Sequence, residues 1–288
     1  MYPSYLTPQA IQSFIASALT EDVGEGDHSA LGAVPANTIA RARLLVKDDG
    51  IVAGVDLAGM IFRQVDPALK VEFLVKDGEA IGKGDIAFVV EGTARSILSA
   101  ERLVLNCMQR MSGIATYTRK LSKLVEGTKA RIMDTRKTTP NFRLMEKWAV
   151  HIGGGMNHRF ALYSMIMLKD NHIDMAGGIR RAIENTKQYL SATGKQLESE
   201  VETRNLAEVE EVLAIGGADV IMLDNMTIDE MKTAVHMING KVKSEASGGI
   251  TEATLRSVAE CGVDYISVGA LTHSVKSLDL SLKVIRPK

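Results

Sequence analysis

The chain has 288 residues, a net charge of −1, 45% hydrophobic residues and 24% charged residues, the make-up of an ordinary globular protein with one large domain or two smaller ones. A near-neutral balance removes any general reason to bind nucleic acid or an acidic membrane, and no apolar run nears the ~20 residues that a membrane span needs. Met1-Tyr2-Pro3-Ser4-Tyr5 has no basic segment leading into an apolar run, so no signal peptide is expected. Cys107 and Cys261 lie far apart without metal-ligand spacing, which reads as buried thiols in a reducing cytoplasm.

In chain order, a helix signal covers Pro8 to Leu19. Strand-like runs follow: Arg41 to Val46 and Ile51 to Val55 flank Asp49-Gly50, Val71 to Val75 precedes Asp77-Gly78, and Ile86 to Glu91 follows a turn at Gly82 to Asp85. Asp-Gly between apolar runs predicts hairpins, so this part reads as an antiparallel sheet. The chain changes character near residue 115. Before that point a long helix carries Ile97, Ala100, Val104, Cys107, Met108 and Met111 on one face and Arg102 on the opposite one. On spacing alone, Arg102 is a solvated arginine.

From residue 130 strands and helices alternate. The strand-like runs are Ala130–Asp134, Met165–Leu168, Glu200–Glu202, Val220–Leu223, Val242–Ala246 and Tyr265–Val268. Between them lie helical patterns such as Phe142, Met145, Trp148, Ala149, Ile152 and Leu206, Val209, Leu213. Repeated βα units imply a parallel sheet, open or closed, and six strands with helices of similar length favour a barrel. Polar groups follow each strand: Arg136 and Lys137, Lys169, Glu202, Asp224-Asn225, Ser247-Gly248-Gly249, and Gly269-Ala270. Parallel strands would bring these groups to one rim, the catalytic face of such barrels.

The stretch from Arg131 to His172 holds seven Lys/Arg against three Asp/Glu, and three of the six histidines. A cationic cluster beside glycines, in a chain with almost no net charge, suggests a pocket for a small polyanion. Gly153-Gly154-Gly155 reads as a helix C-terminal break or a hinge.

These segments resemble a known family. Asp134-Thr135-Arg136-Lys137-Thr138-Thr139-Pro140, Gly153-Gly154-Gly155 with Asn157-His158-Arg159, Lys169-Asp170-Asn171-His172, Leu223-Asp224-Asn225, Glu245-Ala246-Ser247-Gly248-Gly249-Ile250 and Gly269-Ala270-Leu271-Thr272-His273-Ser274 are similar to quinolinate phosphoribosyltransferase, nearly end to end and in order. The resemblance implies an N-terminal α+β sandwich domain (1–114) with residues 272–288 packing back on it, and an incomplete (β/α) barrel of parallel strands (115–271). It implies transfer of phosphoribosyl from 5-phosphoribosyl 1-pyrophosphate to quinolinate with decarboxylation, with magnesium as cofactor.

By resemblance, Arg102, Arg136, Arg159 and Lys169 surround the quinolinate carboxylates, with His158 and His172 near the ring. Lys137 meets the pyrophosphate. Glu202 and Asp224 hold ribose hydroxyls or magnesium-bound waters, and Ser247, Gly248, Gly249 and Gly269 receive the 5′-phosphate. Lys137, Lys169, Glu202 and Asp224 are the expected catalytic groups. Arg102 is expected to come from a neighbouring subunit, in a homodimer with shared sites or a hexamer of dimers. Three other readings stand beside it: a nicotinate phosphoribosyltransferase, whose usual motifs do not resemble these; a paralogue associated with molybdenum transport, which shares much of the pattern; and a catalytically silent metabolite-binding or scaffold protein.

Overall fold

The computed structural model describes residues 3–285. In chain order the elements are α1 (Pro8–Asp22), α2 (His28–Ala33), β1 (Ile39–Val46), β2 (Gly50–Ile51), α3 (Val55–Val65), β3 (Lys70–Phe73), β4 (Ala80–Ile81), β5 (Ile86–Thr93) and α4 (Ala94–Leu124). They continue with β6 (Arg131–Met133), α5 (Arg143–Ile152), β7 (Ile166–Leu168), α6 (Asp170–Ala176), α7 (Ile179–Thr193), β8 (Ser199–Thr203) and α8 (Leu206–Ile215). The last are β9 (Val220–Asp224), α9 (Ile228–Ile238), β10 (Lys243–Ser247), α10 (Glu252–Glu260), β11 (Tyr265–Ser267), α11 (Ala270–His273) and β12 (Leu280–Val284).

Two compact units form. One takes the chain up to Arg119, Lys137–Gly154 and the chain from Ala270 onward; the other takes Lys120–Arg136 and Gly155–Gly269. No single cut in sequence separates them, and residue 115 falls inside α4.

The first unit is built on an antiparallel sheet ordered β12-β1-β5-β3. Alternate residues of β1, Ala42, Leu44 and Val46, are buried. So are Leu57, Ala58, Ile61 and Phe62 of α3 and Phe88 of β5, and the Phe62 and Phe88 rings meet edge to face at 5.5 Å. On α4 the six residues expected on one face are all buried, and Arg102 is exposed.

The expected Ile51–Val55 strand is corrected. Only Gly50–Ile51 pairs, with β4, and there is no hairpin at Asp49-Gly50. Gly54, at φ +90°, turns the chain straight into α3. Two α4 hydroxyls replace strand partners for this segment: Ile51 N–H donates to Thr116 Oγ1 (2.8 Å) and Ala53 N–H to Ser112 Oγ (2.9 Å).

α3 lacks a side-chain cap at its own N-terminus. Asp77 supplies one from the following loop, accepting from Val55 N–H at 2.9 Å and Asp56 N–H at 3.3 Å. Burial nonetheless pushes its carboxyl from 3.8 up to about 6, against the pull of those hydrogen bonds. The folded state therefore holds this proton more tightly than the unfolded chain, and the group's stabilisation is lost as pH rises through about 6. One unit is worth about 1.4 kcal/mol. Asp77→Asn should thus gain about 2–3 kcal/mol on wild type between about pH 4 and 7. Urea unfolding at both pH values measures this; parallel pH dependence in the two proteins would contradict it.

The second unit is a six-stranded sheet in the order β6-β11-β10-β9-β8-β7, with every pairing parallel. The order is cyclic in sequence with one opening, between β6 and β7: an incomplete barrel. At that opening Met133 of β6 makes a single parallel bridge to Met156. Val201, Ile221, Leu223, Ala246 and Ile266 are sealed on one side of the strands, while α7 to α10 each bury one apolar stripe.

Candidate active site

In register, Met167 lies beside Glu200, Glu200 beside Val220, Glu202 beside Met222, Met222 beside Glu245, and Asp224 beside Ser247. Neighbours in register share a sheet face, and residues two apart along a strand share it too. Lys169, Glu202, Asp224 and Ser247 therefore share one face of the sheet at the carboxyl ends of their strands, and Glu200 and Glu245 share that face two positions earlier on β8 and β10. This layering is how parallel barrels fill their interiors and present their rims.

The upper layer is polar and partly open. Lys169 Nζ lies 2.9 Å from Glu202 Oε2. Asp224 accepts from the Asn225 amide at 2.7 Å. The turns after β9 and β10 lock together: Asn225 N–H donates to Ser247 O at 2.9 Å, and any Cβ on Gly248 would collide with the Asn225 side chain. Gly248 and Gly249 both take positive φ, +91° and +58°, and space is open around the missing Cβ of Gly249. The backbone then enters α10 at its Thr251 cap. A glycine turn leading into a helix N-terminus suits a phosphate.

Asp134 links two motifs. Wholly buried, it accepts from Asn157 Nδ2 (2.7 Å) and from His158 N–H (2.9 Å). Arg159 N–H donates to His158 Nδ1 at 2.6 Å, and the Arg159 guanidinium reaches Met165 O at 3.3 Å. Burial lowers the Arg159 pKa, the nearby Arg136 charge lowers it further, and Glu200 opposes the drop. Two guanidiniums close enough to repel make a ready acceptor for a dianion.

The His158 ring is buried, with Nε2 2.9 Å from Glu200 Oε2 and 3.6 Å from Glu245 Oε2. The three groups have metal-ligand types within 4.8 Å of one another. Because Nδ1 takes the Arg159 N–H, however, a neutral ring carries its proton on Nε2, the nitrogen nearest the carboxyls. His172 is exposed, and its Nδ1 accepts from Lys169 N–H at 2.9 Å, so it caps α6.

Arg102 and Lys137 belong to the first unit. Lys137 is exposed on a tethered loop. Its carbonyl accepts from Thr272 Oγ1 at 2.7 Å, and Thr139 donates through N–H (2.9 Å) and Oγ1 (3.0 Å) to Glu146. Glu146 is wholly buried and paired with Arg110 at 2.8 Å. Gly153 ends α5, and a Cβ there would press on Ala115 O at 2.6 Å; it is the helix break, packed against α4.

The sequence assigned no role to Glu200, Glu245 or Glu146, although Glu245 opens one of the motifs. The first two had one available signal: each precedes a rim residue by two positions on its strand.

Residues 114–283 match the quinolinate phosphoribosyl transferase C-terminal domain and residues 19–112 the N-terminal domain. A nicotinate-nucleotide pyrophosphorylase (carboxylating), chloroplastic, of Oryza sativa subsp. japonica is 48% identical over 289 residues, covering 95% of this chain and 77% of that protein. Quinolinate phosphoribosyltransferase (decarboxylating) 1b of Nicotiana tabacum is 47% identical, covering 95% and 82%. Among solved structures, NadC from Streptococcus pyogenes superposes with a TM-score of 0.90 at 38% identity, covering 98% of this chain and 99% of that one. The nicotinate-nucleotide pyrophosphorylase of Francisella tularensis gives 0.87 at 37% identity, covering 97% and 98%.

Proposed function

Since the chain belongs to the quinolinate phosphoribosyltransferase family, we propose how its residues share out that family's reaction. The enzyme transfers phosphoribosyl from 5-phosphoribosyl 1-pyrophosphate to quinolinate and releases carbon dioxide, giving nicotinate mononucleotide and pyrophosphate for NAD biosynthesis. The observation that carries the residue-level reading is that Arg136 and Arg159 each lie three positions beyond the parallel Met133–Met156 bridge, where the Arg136 charge helps to lower the Arg159 pKa.

Arg136, Arg159 and Lys169 bind the two carboxylates, planar guanidiniums matching them bidentately; a partner subunit's Arg102 completes the pocket in a homodimer, a role its exposure on α4 suits. His158 orients Arg159 from below, and His172 shapes the turn at Lys169. Lys137 draws charge from the departing pyrophosphate. Ser247, Gly248, Gly249 and Gly269 take the 5′-phosphate. Glu202 and Asp224 face the ribose, where positive charge builds as the pyridine nitrogen attacks C1. Binding both reactants side by side supplies a further large share. The pyridinium so formed accepts the electron pair left when the C2 carboxylate departs as carbon dioxide, and C2 then takes a proton.

Magnesium fits the same rim. Glu202 and Asp224 offer hard oxygens from adjacent strand ends, and the partial exposure of Asp224 suits an ion that keeps waters. When bound there with the phosphoribosyl donor, it neutralises leaving-group charge. A cytoplasmic site of action agrees with two buried free cysteines; among the described residues no helix is long and apolar enough to cross a membrane.

The test is a pair of isosteric changes. Glu202→Gln and Asp224→Asn should each lower turnover at least about 100-fold, a loss of the size seen when one transition-state charge contact is removed, while leaving calorimetric quinolinate binding within about threefold. Wild-type turnover across a magnesium titration would remove both residues from the donor side.

A further inference from the structure

Glu200 and Glu245 are 0% and 1% exposed, and neither has a role in the reaction as divided above. Buried carboxyls are costly, and well-packed apolar residues in their place are often neutral or stabilising. Among the described residues none of their four oxygens meets full hydrogen-bond geometry, although Ser267 and Glu200 lie near enough to the Glu245 carboxyl to interact with it. The His158 Nε2 approach at 2.9 Å is close but oblique, an electrostatic contact with the carboxyl pair. Burial first, and then the neighbouring Glu200 charge, push the Glu245 carboxyl well above its usual range. A pair this expensive, set directly below the rim, asks for a function beyond packing.

The connections run upward from the pair. His158 is gripped at its backbone by Asp134 and at its ring by Glu200 and Glu245, and the ring in turn accepts the Arg159 backbone N–H. The direction in which the chain leaves His158, and with it the Arg159 side chain, is fixed from three sides.

We propose that Glu200 and Glu245 are positioning residues for the dicarboxylate pocket, clamping the His158 ring so that Arg159 is held toward the bound quinolinate. The divalent-cation alternative for these three residues conflicts with the ring's tautomer, because the nitrogen facing the carboxyls carries the proton. The inference rests on Arg159 as a quinolinate ligand, which Arg159→Ala tests independently.

The experiment compares Glu200→Gln, Glu245→Gln and Glu200→Leu in the full-length protein. The clamp predicts a rise of at least about fivefold in KM for quinolinate in all three, with KM for 5-phosphoribosyl 1-pyrophosphate within about twofold. Glu200→Leu should also melt no lower than wild type while losing quinolinate affinity, a split that a merely structural role would not produce. Quinolinate affinity equal to or above wild type would overturn the clamp, and so would equal losses toward both substrates. One equivalent of Mn2+ or Zn2+ held by wild type and lost in Glu245→Gln would overturn it in favour of a metal site.

Discussion

Arg159→Ala and Arg136→Ala each weaken quinolinate binding by about 10- to 100-fold. The estimate follows from removing one charge-assisted contact of roughly 1.5–3 kcal/mol to a carboxylate. Burial and then the nearby Arg136 charge lower the Arg159 pKa, so part of the Arg159 contact offsets that cost, and the loss is less than the gross strength of an ion pair. Binding of 5-phosphoribosyl 1-pyrophosphate should change little. Titration calorimetry with each substrate separates the effects. Near-wild-type quinolinate affinity in both variants would take the pocket away from this rim.

A larger effect is expected from mixing dead enzymes. Arg102→Ala and Lys169→Ala are each almost inactive as homodimers if every site joins Arg102 of one subunit to Lys169 of the other. In a heterodimer, one site then carries both defects and the other neither. Co-expression should restore about half the wild-type activity per heterodimer. If purified heterodimers stay dead while each variant folds and dimerises, Arg102 acts within its own subunit or not in catalysis.

The rim was legible because a parallel βα pattern writes it into the chain: apolar strand runs end abruptly in Lys169 and Asp224, and the strand before Gly248-Gly249 ends in Ser247. The buried layer was hidden for the complementary reason. β8 reads Ser-Glu-Val-Glu-Thr and is buried at all five positions, so its carboxylates look like a polar edge strand until the barrel closes over them. Nothing local says that Glu200 faces His158, 42 positions earlier. The antiparallel half misled through Asp49-Gly50, a strong hairpin signal overridden by Thr116 and Ser112, whose hydroxyls lie far away in sequence and capture the Ile51 and Ala53 amides. α3 was missed, although Val55, Leu57, Ala58, Ile61 and Phe62 form a helical stripe that begins where the assumed strand ended. Glu146 stood in the sequence as one more charge in a basic segment, with no role; its burial against Arg110 and Thr139 reveals that it ties down the Lys137 loop.

The most direct measurement follows carbon dioxide from quinolinate labelled at the C2 carboxylate. With 5-phosphoribosyl 1-pyrophosphate and magnesium present, the account predicts label released in step with nicotinate mononucleotide, no release when the phosphoribosyl donor is left out, and no mononucleotide when nicotinate replaces quinolinate. Mononucleotide formed from nicotinate at a comparable rate, or label released without the phosphoribosyl donor, would contradict it.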